Sequence, residues 1–269
     1  MEYVAPRTLD EAYRALGADE SRCLAGGQSL VAMINLGLVA PARLVSLRRI
    51  DALRGIAMQA DGGLRIGAMT THAELAALTI AAPGPALLAK AARVVAYPAV
   101  RAWGTIGGSV AHADPSADYP VALVAADATI EIGSASGTRQ VAAQEFFRGF
   151  FETALAAGEI VTAIRIPPGP RDAGAAYEKL SLVVGDFAIV SVAAIAGRTA
   201  QLAVGGYGPK PIRLSGIDAT DDALIAAGRA LATASEPPGD HRASAAYRRR
   251  VLPELIRRAT RAASAASHA

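Results

Sequence analysis

Cysteine is nearly missing: the 269 residues hold one, Cys23. A lone thiol excludes an intrachain disulfide framework, a four-cysteine zinc site and a self-contained iron–sulfur cluster, each of which needs several thiolates. It also points to a reducing compartment, so a cytoplasmic location is expected. The four histidines, His72, His112, His241 and His268, are too scattered to suggest a metal site by spacing. Lysine is scarce as well: Lys90, Lys179 and Lys210 are all there are, and none follows a glycine, which removes the Gly-Lys pair of a P-loop. No Gly-x-Gly-x-x-Gly run follows a strand and no Gly-x-Ser-x-Gly elbow occurs, so nucleotide-hydrolysing and serine-hydrolase readings lose their support. The opening Met1-Glu2-Tyr3-Val4-Ala5-Pro6 lacks a basic segment followed by an apolar one. The uncharged stretch Leu75 to Ala89 is broken by Pro83-Gly84-Pro85, and neither a signal peptide nor a membrane span is expected.

A large charge of one sign is also lacking, with 27 basic against 24 acidic side chains and a net +3. The basic excess lies in Arg229 to Ala269, where eight arginines face Glu236, Asp240 and Glu254. Arg248-Arg249-Arg250 and Arg257-Arg258 alternate with Val251, Leu252, Leu255 and Ile256, the pattern of an amphipathic helix with one solvated face. Aromatic residues make up only 5% of the chain and none forms a platform among these arginines, so nucleic-acid binding is not expected.

What is present is a globular composition, 52% hydrophobic and 19% charged. A chain of this length buries roughly 70 to 75% of its unfolded surface without needing a staple. The patterning predicts an α+β protein of three lobes, 1–55, 56–170 and 171–269. The first reads as a βαβ unit: Tyr3–Ala5 extended, a helix opened by Thr8-Leu9-Asp10-Glu11, a strand at Arg22–Leu24, a helix from Ser29 to Asn35 and a strand at 42–47. The second pairs Ile56–Gln59 with Leu64–Ala68 through Asp61-Gly62-Gly63, then has a capping box at Thr71-His72-Ala73-Glu74. Helices at 73–77, 86–93 and 119–126 and strands at 129–132, 139–141 and 159–166 complete it, and Pro167-Pro168-Gly169-Pro170 closes it. In the third, strands at 176–181, 188–196 and 201–204 form an antiparallel sheet, followed by helices at 221–232 and about 244–262.

Two glycine segments carry the functional signal. Ala25-Gly26-Gly27-Gln28-Ser29-Leu30 and Thr105-Ile106-Gly107-Gly108-Ser109 each read as a loop after an extended segment. Without a Cβ the main chain approaches an anion closely, and a helix starting at Ser29 adds unpaired N–H groups. A diphosphate fits between two such loops. Chance alone supplies roughly two or three Gly-Gly pairs in a chain this rich in glycine, and Gly62-Gly63 reads as a plain turn. On its own, Asp118 reads as the cap of the helix after it and Lys179 as a solvated strand lysine.

The string Thr105-Ile106-Gly107-Gly108-Ser109-Val110-Ala111-His112-Ala113-Asp114-Pro115-Ser116-Ala117-Asp118-Tyr119-Pro120 resembles the FAD-binding (medium) subunit of the molybdenum hydroxylases, the aerobic carbon monoxide dehydrogenase and xanthine dehydrogenase family. Ala25 to Leu30, Ile66 to Leu75, Gly158 to Pro167, Tyr177 to Ser181, Gly185 to Ala188 and Ser244 to Arg248 match family segments in family order. The resemblance implies two N-terminal α/β lobes with FAD between them and a C-terminal α+β lobe with an antiparallel sheet and helices. It implies that Ala25, Gly26, Gly27, Gln28, Ser29, Leu30, Thr105, Ile106, Gly107, Gly108 and Ser109 hold the diphosphate and its neighbours, with Asp118, Lys179 and the apolar Val161 as further FAD contacts. It assigns no catalytic residue and no metal ligand to this chain. The implied partners are a molybdopterin-binding large subunit and a [2Fe–2S] small subunit, in a dimer of heterotrimers, with electrons passing through FAD to an external acceptor. A free-standing FAD oxidase and a flavin-free assembly or anion-binding module are the alternatives. The sequence departs from the family in Ser109, where Asn is usual, and in Leu182-Val183-Val184, where a basic residue or two is usual.

Overall fold

The computed structural model describes residues 1–17 and 20–267. The first lobe alternates strand and helix: β1 (Glu2–Val4), α1 (Leu9–Leu16), β2 (Ser21–Leu24), α2 (Leu30–Asn35) and β3 (Arg43–Ser46). Its strands form a parallel sheet in the order β1-β3-β2, because each helical crossover returns the chain in the same direction. Thr8 caps α1 by accepting from the Glu11 N–H. Ser29, at the N-cap position of α2, makes no such bond.

The second lobe comprises β4 (Ile56–Met58), β5 (Leu64–Gly67), α3 (His72–Ala76), α4 (Pro83–Val94), α5 (Pro98–Trp103), α6 (Ile106–His112), α7 (Asp118–Ala125), β6 (Thr129–Ser134), β7 (Gly137–Ala142), α8 (Ala143–Phe146), β8 (Phe147–Gly149), β9 (Glu152–Thr153) and β10 (Ile160–Ile166). Its five-stranded antiparallel sheet runs β4-β5-β10-β6-β7, which brings the last strand of the lobe into the centre. Two expectations are corrected here. The second glycine segment is the first turn of α6 and follows another helix, α5, not an extended segment. Thr105 caps α6 through the Gly108 N–H, which lets two successive glycines start a helix that their propensity disfavours.

The third lobe is a meander, β11 (Gly174–Leu180), β12 (Val190–Ala196), β13 (Thr199–Gly205) and β14 (Ile212–Asp218), followed by α9 (Asp221–Ala234) and α10 (Ala245–Ala266). All seven residues of β12 are buried. Successive side chains of a strand point to opposite faces, and this strand is covered on both. Val190, Val192, Ala194 and Ala196 join the cluster under α9 and α10, while Ala193 and Ile195 join the cluster of α4 and α7. The third lobe is thereby packed onto the helices of the second through one layer of its own sheet. No helix among the described residues is long and apolar enough to cross a membrane.

Candidate cofactor site

The two glycine segments meet. A Cβ on Gly26 would lie 2.2 Å from the Trp103 carbonyl oxygen and 2.8 Å from the Gly104 Cα, so only glycine permits this approach. The position a Cβ would take on Gly108 is 3.4 Å from the Ala25 methyl, a second contact between the segments. Beneath them, the Gly107 N–H donates to Ala68 O at 2.8 Å and the Ile106 N–H to Thr70 O at 3.0 Å. Ala68 in turn donates to Thr162 O on β10, beside Val161, which is 4% exposed at a register shift of that strand. The chain therefore brings Ala25–Leu30, Thr105–Ser109 and the neighbourhood of Val161 to one junction between the first and second lobes.

The two segments differ in what they offer. Among the described residues, no acceptor meets the backbone N–H groups of Gly26, Gly27, Gln28, Ser29 and Leu30. In the second segment the N–H groups of Ile106, Gly107, Gly108 and Ser109 are all used within the chain, which leaves the Thr105 N–H and the Ser109 hydroxyl. A main chain with several donors in a row and no side chains in the way suits an anionic, oxygen-rich group. The diphosphate of FAD has that chemistry, and the residues present fit it.

Asp118 and Lys179 lie apart from this junction, at the seam between the second and third lobes. Asp118 opens α7 without capping it and is 7% exposed. Its carboxylate accepts from Tyr177 Oη at 2.9 Å and from Lys179 Nζ at 3.1 Å. Lys179, far from being solvated, is 6% exposed and also donates to Val94 O at 2.7 Å. Burial pushes the Asp118 carboxyl up to about 6, against the pull of Lys179 and of the hydrogen bonds from Tyr177 and Lys179. The pair touches neither glycine segment in the chain as it stands. Tyr177 was missed in the sequence because a tyrosine on a buried strand carries no signal of its own.

Around the junction lies an apolar rim. Trp103 and Tyr97, on and just before α5, are about half exposed, with the Arg48 guanidinium 4.6 Å from the Trp103 ring centre. Leu182, Val183 and Val184 stand in solvent, Val184 being 88% exposed, in a loop whose Gly185 packs on Ala96 and Tyr97. His112, at the end of α6, packs against Phe151 with ring centres 5.1 Å apart and the rings tilted at 50°. Burial pushes the Cys23 thiol up to about 12, which keeps it protonated at neutral pH.

Parallel first lobe, antiparallel second lobe and a glycine-lined junction between them define a two-lobed module whose spare backbone N–H groups suit an anionic ligand. A family model for the FAD binding domain in molybdopterin dehydrogenase matches residues 1–169, and one for the carbon monoxide dehydrogenase flavoprotein C-terminal domain matches 175–263. The chain is 36% identical to the glyceraldehyde dehydrogenase medium chain of Sulfolobus acidocaldarius, over 96% of each chain. It is 35% identical to the carbon monoxide dehydrogenase medium chain of Hydrogenophaga pseudoflava, over 97% of this chain and 96% of that one. A solved carbon monoxide dehydrogenase from the same organism superposes with a TM-score of 0.93 at 35% identity, covering 99% of this chain and 98% of the other. The quinoline 2-oxidoreductase of Pseudomonas putida 86 superposes with a TM-score of 0.91 at 31% identity, covering 100% and 98%. The chain belongs to the FAD-binding medium-subunit family of the molybdenum hydroxylases.

Proposed function

We propose that this chain carries electrons within a molybdenum hydroxylase: a molybdopterin-binding large subunit oxidises the substrate, a [2Fe–2S] small subunit passes electrons on, and this subunit delivers them to an external acceptor. The assembly is a cytoplasmic dimer of such heterotrimers. The names of the relatives, medium chains and medium subunits, support partners on either side. The lobes are 1–55, 56–170 and 171–269, with the cofactor between the first two.

Bound FAD supplies the redox chemistry, taking electrons singly and giving them up in pairs. The chain's own part is binding and orientation. The free N–H groups of Gly26, Gly27, Gln28, Ser29 and Leu30, with the Thr105 N–H and the Ser109 hydroxyl, would hold the diphosphate, and Ile106, Gly107 and Gly108, whose N–H groups are spent within the chain, would shape the backbone beside it. Ala25 and Val161 give apolar contact. Asp118 and Lys179, paired at the seam apart from the glycine segments, would meet a more distant polar part of the cofactor, and the chain's role calls for no proton-abstracting base or nucleophile.

The observation that carries the reading is the run of unpartnered N–H groups at a junction only glycine allows. Its test is a titration of the purified chain with FAD, alone and with the co-expressed partner subunits, followed by absorption spectra and identification of the released flavin. One FAD per chain is expected. A chain that takes up none in either state refutes the reading.

A further inference from the structure

His72 stands behind the junction with no local task. The capping of α3 is done by Thr71, which accepts from the Glu74 N–H at 3.2 Å, and by Glu74, which accepts from the Thr71 N–H at 2.7 Å. The imidazole is instead directed inward and is 5% exposed. Its backbone N–H donates to Gly104 O at 3.0 Å, and a Cβ on Gly104 would lie 2.5 Å from its Nε2. The ring thus packs on Gly104, and Gly104 is the residue whose Cα packs on Gly26.

The ring is held from its other side. Tyr119, fully buried on α7, places its hydroxyl 3.0 Å from His72 Nδ1, with ring centres 5.1 Å apart at 48°. That hydroxyl and Nδ1 share one hydrogen bond, the proton lying on one or the other according to the imidazole tautomer, while Nε2 faces Gly104. Arg101 on α5 is the charged group that acts on the imidazole, and Asp118 on α7 acts on Tyr119 beside it. Burial first, then Arg101, push the imidazole down to about 4, so it stays neutral in this setting.

We propose that His72 is a positioning residue for the FAD diphosphate: its imidazole, oriented by the Tyr119 hydroxyl, is the wall that sets Gly104 against Gly26 and fixes the gap between the two glycine segments. This rests on the reading of those segments as the diphosphate site. A neutral, hydrogen-bonded ring suits the task because it is rigid, fills the space behind a glycine and brings no charge to compete for the anion.

The test uses the full chain with His72→Leu, His72→Asn, Tyr119→Phe and, as a control, Tyr207→Phe, a buried tyrosine whose hydroxyl has no partner. Asparagine places an acceptor where Nδ1 stands. Two quantities are read: the FAD dissociation constant, and amide hydrogen exchange at Ile106 and Gly107 without FAD, whose N–H bonds report the junction directly. His72→Leu and Tyr119→Phe are expected to weaken FAD binding tenfold or more and to speed exchange at those two amides selectively. His72→Asn recovers most of both, and Tyr207→Phe changes neither. Unchanged exchange and affinity in Tyr119→Phe overturns the proposal, as does a loss of protection spread evenly over all three lobes. If the wild-type chain binds no FAD, the site reading fails instead, and the exchange data still decide what His72 holds.

Discussion

Removing the Asp118–Lys179 pair as a unit should leave a specific mark on the pH dependence of folding. The perturbation is the double variant Asp118→Asn with Lys179→Met, which keeps an acceptor for Tyr177, keeps the lysine's apolar stem and strands no charge in the seam. In the folded wild type, burial holds the Asp118 carboxyl near 6, whereas in the unfolded chain it titrates near 3.8. A folded-state acid that is raised contributes stability below its unfolded value and loses it as pH rises through the folded one. Between pH 7 and 4 the folded wild type therefore takes up a proton that the unfolded chain does not. At 1.36 kcal/mol per pH unit, the wild type gains on the double variant by about 1 kcal/mol at pH 5 and about 2 kcal/mol at pH 4. Taking the difference between the two proteins cancels the other groups that titrate in the window, including His72, whose depressed value makes acid destabilising. Urea unfolding at pH 7, 6, 5 and 4, followed by far-UV circular dichroism, measures it. A difference that stays flat, or that falls toward acid, refutes the account of Asp118 as a carboxyl raised by burial.

Gly26→Ala should abolish high-affinity FAD binding, because the new methyl meets the backbone of Trp103 and Gly104 rather than a side chain that can move aside. Equilibrium titration with FAD checks this, and retained affinity would show that the two segments need not touch. Arg248 is 1% exposed and donates to Ile189 O, to Gly206 O at 2.7 Å and to Asp240 at 2.8 Å. Arg248→Met should cost about 3 kcal/mol of folding stability by leaving those acceptors unpaired, read as a lowered denaturant midpoint. Cys23 should resist alkylation by iodoacetamide at pH 7 in the native chain and react readily in urea, since burial keeps its thiol protonated.

Much of the architecture could be read from patterns that are local by nature. The alternation of strand and helix before residue 50, the capping box at Thr71 and Glu74, and the apolar run of 188–196, interrupted only by Ser191, each reflect forces acting within a few residues. Helix α6 was not legible, because the Gly107-Gly108 pair argues against helix and only packing on Ala68 and the Thr105 cap override that preference, and α5, opened by Pro98 at its first position, is only six residues long. Strand β14, half-exposed and interrupted by Gly216, gave too weak an alternation to see.

The same division holds for the site. Which residues are free of side chains, and that they come in two separate segments, is written in the sequence, since glycine's conformational freedom belongs to the residue itself. That Gly26 touches Gly104, that one segment has spare N–H groups while the other has spent them, and that Asp118 and Lys179 find each other across the seam are decided only by the tertiary structure. Each of these depends on groups far apart in the chain, and no local propensity reports a distance between them. His72 shows the limit most plainly: its neighbours in sequence mark a helix cap, and its neighbours in space make it the back wall of the junction.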